Sequence, residues 1–219
     1  MAHRSWHSSS RKLQGFTVAE LLVSIMILGL ISVATITDLR TSQQADELAT
    51  AARVVAADLG AEQNAALTGQ NIRTCTDSAT SKNDVCELST SSCVSGSCAA
   101  APPYADGLHF VAGSSSYDFF ADVETTKNDW KETDATEIVK TRNLAGVGAA
   151  NVVIDSLVTS SSLATVDVAF QRQNGAMGIN ACYAPCASPV TLRIILRHTL
   201  SNNTTEVDLN SYTGRVSIP

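Results

Sequence analysis

Glu20 is an acidic residue inside an otherwise uncharged, apolar stretch of the chain. Between residues 16 and 36 no other charged side chain occurs. An isolated carboxylate in an apolar or lipid environment is unfavourable unless a cation or a hydrogen-bond donor satisfies it. The position of Glu20 therefore indicates a functional residue that needs a partner.

The six cysteines could form either disulfides or a zinc site. All of them follow the apolar stretch, at positions Cys75, Cys86, Cys93, Cys98, Cys182 and Cys186. An even number of cysteines in an exported segment predicts disulfides, most simply between consecutive cysteines, namely Cys75–Cys86, Cys93–Cys98 and Cys182–Cys186. The last two pairs also have spacings that zinc ligands tolerate. The Ser-rich, exported context favours disulfides, so we expect no metal site and no cofactor.

The sequence contains no convincing constellation for catalysis. His109 and His198 lie in strand-like runs without a recognisable nucleophile signature. The patterns Gly-x-Ser-x-Gly and His-Glu-x-x-His and the phosphate-binding loop are all missing from the sequence. We therefore expect that the protein is not an enzyme.

The apolar stretch has the length and flanking charges of a membrane-spanning helix. As a helix, its 21 residues would measure about 31 Å, which matches the hydrocarbon core of a bilayer. Residues 1–15 contain Arg4, Arg11 and Lys12 and no acid, whereas Asp38 follows the stretch. The positive-inside rule then places residues 1–15 in the cytoplasm and the rest outside. We predict a single-pass protein of the inner membrane, with residues 16–37 as the transmembrane segment.

The helix is predicted to continue beyond the membrane. Leu48, Ala52, Val55 and Leu59 recur at helical spacing and form one apolar stripe, and Gly69 is a good helix stop. A helix over residues 16–68 would be about 80 Å long. Its first half is apolar all round and its second half is amphipathic, so we expect the second half to pack on a domain.

The rest of the chain predicts an extracytoplasmic β-domain. Residues 69–106 are rich in Cys, Ser and Thr and predict a surface loop tied by disulfides. Residues 107–219 alternate between apolar and polar side chains, with turn residues between the runs. The fold class is therefore α+β, with a long N-terminal helix packed on a mostly antiparallel domain. The predicted strands cover residues 108–111, 117–123, 136–141, 152–158, 166–170, 191–197, 206–209 and 215–218.

The segment Gly15-Phe16-Thr17-Val18-Ala19-Glu20-Leu21-Leu22 resembles the cleavage and methylation site of type IV prepilins and type II secretion pseudopilins. The direct resemblance covers residues 15–36, which contain the Gly-Phe junction, a Glu five residues after Gly15 and the apolar run. A short basic leader precedes these residues, as it does in the family. It implies a pilin-like fold, cleavage after Gly15 and N-methylation of Phe16. It also implies that Glu20 pairs with the α-amino group of a neighbouring subunit and sets the register of assembly.

This resemblance implies a structural role. The chain would be a subunit, and a minor one, of a type IV pilus or a type II secretion-like filament. The implied partners are a prepilin peptidase, other pilin or pseudopilin subunits, an inner-membrane assembly platform and membrane lipid. The alternative is a signal-anchored extracellular binding domain that does not polymerise, and leader cleavage distinguishes the two.

The C-terminal half also resembles a subgroup of the family, the GspH/FimT-type minor pilins. The similarity lies in successive apolar strands with turns, closed by Tyr212-Thr213-Gly214-Arg215-Val216. Some members of this subgroup bind DNA through a basic cluster, for which Arg193, Arg197 and Arg215 are the candidates here. The net charge of −6 becomes −9 once the three basic residues of the leader are removed, which opposes phosphate contact. We therefore do not expect nucleic acid as a partner.

Overall fold

A computed structural model describes residues 17–76, 83–86, 98–123, 137–171, 177–179 and 190–219. The chain divides into two compact units, Met1–Gln43 and Gln44–Pro219. Helix α1 covers Val18–Thr68 and therefore contributes residues to both units. The sheets described below belong to the second unit.

Helix α1 ends at Thr68, directly before a glycine with a left-handed backbone conformation. Gly69 follows the helix with a φ of 71°, in the left-handed region that glycine adopts without steric cost. The N–H groups of Gly69 and Gln70 both donate to the carbonyl oxygen of Ala65, at 3.0 and 3.1 Å. These bonds, with a longer one of 3.4 Å from the Thr68 hydroxyl, satisfy the Ala65 carbonyl at the helix end. The predicted long N-terminal helix is confirmed.

The strands of the described residues form three antiparallel sheets. The strands are β1 (Ile72–Thr76), β2 (Asn83–Val85), β3 (Ala99–Ala101), β4 (Ala105–Val111), β5 (Ser116–Asp122), β6 (Ile138–Asn143), β7 (Val152–Val158), β8 (Ser162–Leu163), β9 (Thr165–Gln171), β10 (Met177–Ile179), β11 (Thr191–His198), β12 (Thr204–Asn210) and β13 (Val216–Ser217). Their orders in the three sheets are β2-β1-β3, β10-β9-β4-β5-β6 and β13-β12-β11-β7-β8, and a short 3₁₀ helix, Leu144–Val147, follows β6. The class is therefore α+β with antiparallel sheets, as predicted.

The two five-stranded sheets share a hydrophobic core with the second part of α1, which is residues 44–68. The predicted stripe of Leu48, Ala52, Val55 and Leu59 is buried in this core. Strand β11 shows the alternation that places it there, because Leu192, Ile194 and Leu196 are buried while their neighbours are at least partly exposed. Burial of each such aliphatic side chain stabilises the fold by about 1.5–3 kcal/mol.

A small sheet occupies part of the segment that was predicted to be a loop. Strands β1, β2 and β3 all fall within residues 69–106. Ile72 and Val85 of this sheet pack with Ala121 and Val123, which lie at the end of β5. The loop prediction is therefore wrong for the described part of this segment, because the small sheet is attached to the β-domain by apolar contacts.

Two of the three predicted cysteine pairs are also wrong, and the third, Cys182–Cys186, lies outside the described residues. Cys86 forms a disulfide with Cys98, with a Cα–Cα distance of 6.3 Å, which excludes both Cys75–Cys86 and Cys93–Cys98. Cys86 directly follows β2, Cys98 directly precedes β3, and these two strands flank β1. The sheet thus brings together cysteines that are not consecutive in the sequence. Cys75 is disulfide-bonded as well, whereas Cys93, Cys182 and Cys186 lie outside the described residues.

Candidate functional site

Glu20 closes a reciprocal hydrogen-bonded cap at the start of helix α1. The backbone N–H and the hydroxyl of Thr17 each donate to Oε2 of Glu20 at 3.0 Å. The N–H of Glu20 in turn donates to the Thr17 hydroxyl oxygen at 3.2 Å. This is a capping box, in which a Thr at the N-cap and a Glu three residues later satisfy each other's helix-terminal groups. The predicted assembly residue is therefore held at the helix start.

Thr17 was missed in the sequence, although a signal for it was present. The pattern Ser/Thr-x-x-Glu before an apolar run is a readable helix-start signature, and residues 17–20 match it. Gly15 and Phe16, the predicted cleavage and methylation positions, lie outside the described residues.

The part of α1 in the first unit exposes apolar side chains around its whole circumference. Every residue from Thr17 to Gln43 is exposed. The large apolar side chains of this segment, such as Val18 and Met26, are between 51% and 75% exposed. Its best 18-residue window has a mean hydropathy of 2.3 and none of its surface is buried within the structure. By length and composition, this segment could cross a membrane or serve as a signal anchor.

The hydroxyl groups of the apolar segment are satisfied within the helix. The side chains of Ser24, Ser32 and Thr37 donate to the carbonyl oxygens four residues earlier, at 2.7–2.9 Å. Thr35 makes the same bond at 3.1 Å. A hydroxyl that bonds to its own helix does not need water or another chain as a partner. These polar residues are therefore compatible with an apolar environment.

In the second unit, a carboxylate of α1 anchors the helix to the sheet that contains β5 and β6. Asp58 accepts a hydrogen bond from the phenol of Tyr117 at 2.6 Å. It also accepts two from the guanidinium of Arg142, at 3.0 and 3.1 Å. Burial, followed by the bond to Asp58, raises the pKa of Tyr117 well above its ordinary value. The hydrogen bonds that Arg142 itself donates to Asp58 raise the pKa of Arg142.

A second carboxylate of α1 faces the other large sheet. Oε2 of Glu47 accepts hydrogen bonds from the backbone and side-chain nitrogens of Asn151, at 3.2 and 3.4 Å. It lies 3.6 Å from Nε2 of His198, whose side chain is 1% exposed. The N–H of Ser201 donates to Nδ1 of His198, so the neutral ring carries its proton on Nε2, towards Glu47. The 3.6 Å separation is longer than a hydrogen bond, and the buried Nε2 of His198 has no hydrogen-bond partner among the described residues.

The other candidate histidine is also held by a carboxylate. Nδ1 of His109 on β4 lies 2.5 Å from Oδ1 of Asp167, its register partner on β9. The Asp167 side chain is 4% exposed. The hydroxyl of Ser201 lies 3.2 Å from Nδ1 of His198. Among the described residues no group of His, Cys, Asp and Glu could hold a metal ion.

Two of the three candidate DNA-binding arginines are engaged by acidic neighbours. Nε of Arg193 lies 3.1 Å from Glu206 and 3.4 Å from Asp208 across the β11–β12 ladder. Arg197 bonds to Asp155 on β7. Arg215 is exposed, between β12 and β13. The guanidinium groups of Arg193 and Arg197 are therefore neutralised locally and do not present a basic surface.

Comparison with known protein-family models, curated proteins and solved structures gives no match for this chain. Two features thus bear on function: the cap at Thr17 and Glu20, and the exposed apolar segment that it begins. Both lie in the part of the sequence that resembles prepilins.

Proposed function

We propose that this protein is a pilin-like subunit, which is trimmed after Gly15 and assembles into a pilus or a secretion filament through helix α1. The observation that carries the proposal is the position of Glu20. Its carboxylate lies at the start of a helix that is apolar on every side, four residues after the proposed new N-terminus at Phe16. That spacing suits a contact with the α-amino group of a neighbouring copy.

The exposed apolar segment supports assembly through its surface. More than a dozen large apolar side chains along residues 18–39 are each over half exposed, so water cannot be the solvent of this segment. Lipid satisfies these side chains but supplies no cation to Glu20. A bundle of such helices satisfies both requirements, because the side chains pack together and a neighbouring amine can reach the carboxylate.

The test is the intact mass of the mature protein in a host with an active prepilin peptidase. The proposal requires a chain that begins at Phe16 and carries one methyl group on its nitrogen. A bulky substitution at Gly15 is expected to block cleavage, whereas Gly15→Ala, the matched control, leaves room for the protease. Recovery of the full-length chain alone from such membranes would overturn the proposal.

A signal-anchored binding domain is the alternative that the exposed apolar helix also supports. Such a protein would keep residues 1–15 and would not enter filaments. Mass spectrometry of the membrane fraction and recovery of protein in the sheared extracellular fraction therefore distinguish the two functions.

A further inference from the structure

A surface groove beside the second part of helix α1 contains a charged residue, and we call it the Arg53 groove. It has a volume of about 700 Å³ and lies within the second unit. The helix forms one wall, and the turn before β12 and the residues after β13 form the other. The lining residues are Ala45, Leu48, Ala49 and Arg53, with residues 202–205 and 218–219 opposite.

Arg53 gives this groove its chemical preference. Its side chain is exposed and forms no ion pair or hydrogen bond with another residue that the structure describes. Among the described lining residues it has the one charged side chain, and the other side chains are apolar or carry hydroxyl or amide groups; Pro219, the last residue of the printed sequence, also lines the groove with its backbone carboxyl group. A groove of this kind favours an occupant that brings a carboxylate together with small side chains.

Asp46 is a carboxylate that matches Arg53. It is exposed on α1 and has no hydrogen bond or ion pair with another described residue. Most other described carboxylates of this unit are already engaged within the unit, including Glu47, Asp58, Asp118, Asp155, Asp167, Glu206 and Asp208. Asp46 is therefore available for a partner outside its own copy.

The spacing of Asp46 and Arg53 prevents their pairing within one chain. Arg53 follows Asp46 by seven positions, which places them on the same side of the helix but about 10 Å apart along its axis. A parallel copy displaced by about two helical turns would bring its Asp46 level with Arg53.

We propose that the Arg53 groove is the docking surface for a second copy of this chain, which inserts the exposed face of its helix around Asp46 and pairs that carboxylate with Arg53. The inference rests on the proposed function, because it assigns one contact of the assembled state. The pair of Asp46 and Arg53, which lies in the second unit, is a contact between copies in addition to the one proposed for Glu20.

Disulfide trapping in the full-length chain tests the docking. Asp46→Cys and Arg53→Cys chains are expressed together in one membrane, oxidised mildly and separated without reductant. We expect at least fivefold more dimer than from Asp46→Cys with Ser161→Cys, because Ser161 is exposed but lies outside the groove. A yield no higher than this control, in cells whose sheared fraction contains the protein, overturns the docking but leaves the proposed function intact.

A charge exchange provides an independent measurement. Arg53→Glu alone and Asp46→Arg alone are each expected to lower the sheared filament fraction several-fold, and both together in one chain should restore at least half of it. Arg73→Glu, an exposed arginine on β1, is the matched control and should leave the fraction unchanged. Absence of rescue, or trapping of Arg53→Cys by a different protein, overturns a second copy as occupant. A chain that keeps residues 1–15 and never enters filaments overturns both proposals.

Discussion

The phenol of Tyr117 donates a 2.6 Å hydrogen bond to Oδ2 of Asp58 and so joins strand β5 to helix α1. The Tyr117 side chain is 1% exposed, and Arg142 on β6 holds the same carboxylate through two further bonds. A buried phenol and a paired charge thus fix the side of α1 that faces this sheet. Loss of the bond from Tyr117, or of the bonds from Arg142, leaves a polar group without its partner in a site that water reaches poorly.

Removal of the Tyr117 hydroxyl is expected to destabilise the domain less than removal of the Asp58 charge. Tyr117→Phe should lower the free energy of unfolding by about 1–2 kcal/mol, because one bond to a charged group is lost. Asp58→Asn should lower it by about 2–4 kcal/mol, because Arg142 also loses its counter-ion. Thermal unfolding of the detergent-solubilised chain measures both. Tyr212→Phe is the control, since that side chain is 82% exposed, and equal effects of all three would contradict the assignment.

Glu62 is expected to make the stability of the domain depend on pH. Burial, followed by the nearby carboxylate of Asp106, raises its pKa from 4.5 to about 7, against the opposing effect of Lys140. Because the folded state holds this proton more tightly than the unfolded state, the destabilisation is absent below pH 4.5. It develops as the pH rises and is complete above about pH 7.

Glu62→Gln should remove this dependence. The variant is expected to match the original chain near pH 4.5 and to be more stable above pH 7, by on the order of 1–3 kcal/mol. Unfolding temperatures of the two chains in detergent, compared between pH 4.5 and 8, provide the test. Asp46→Asn serves as the control because Asp46 is exposed. Parallel curves for Glu62→Gln and the original chain would show that this carboxyl titrates normally.

The cap at the start of α1 is expected to affect assembly. Glu20→Gln should leave the membrane pool and domain folding unchanged but deplete the sheared filament fraction. Thr17→Val removes both bonds of the hydroxyl and should weaken the helix start by about 1 kcal/mol, whereas Thr17→Ser retains them. The ratio of sheared to membrane protein is the readout. A normal ratio for Glu20→Gln would remove the role in assembly that we assign to this carboxylate.

The Cys86–Cys98 disulfide is expected to stabilise the small sheet. It closes a loop of 12 residues, so replacement of both cysteines by Ser should cost about 2–3 kcal/mol. Non-reducing peptide mapping of the exported protein should show Cys86 linked to Cys98 and no link between Cys75 and Cys86. Stoichiometric zinc, or alkylation of Cys86 without reductant, would contradict the pairing.

The sequence alone predicted the large elements because they contain enough residues to show a period. Each of the eight predicted strands is present, and α1 was evident from 21 apolar residues followed by an amphipathic stripe. Within the described residues five short strands were missed, because two or three residues cannot establish an alternation and β1 lies among Ser, Thr and Cys. These are β1, β2, β3, β8 and β10.

The residues of the site were predictable only where their partners are close in sequence. Glu20 was found from its apolar surroundings, and Thr17 could have been found from the capping pattern. By contrast, Tyr117 and Arg142 lie 59 and 84 residues beyond Asp58. No local pattern links such positions, because the fold alone brings them together. The pairing of Cys86 with Cys98 was missed because it depends on a sheet that was not predicted.

The bonds between Thr17 and Glu20 bear on the proposed cleavage after Gly15. All their donors and acceptors belong to residues 17 and 20, and the most N-terminal of them is the amide N–H of Thr17. Hydrolysis of the preceding Gly15–Phe16 bond, or a methyl group on the nitrogen of Phe16, removes none of these groups. The proposed cleavage would therefore leave every group of this cap in place at the start of the helix.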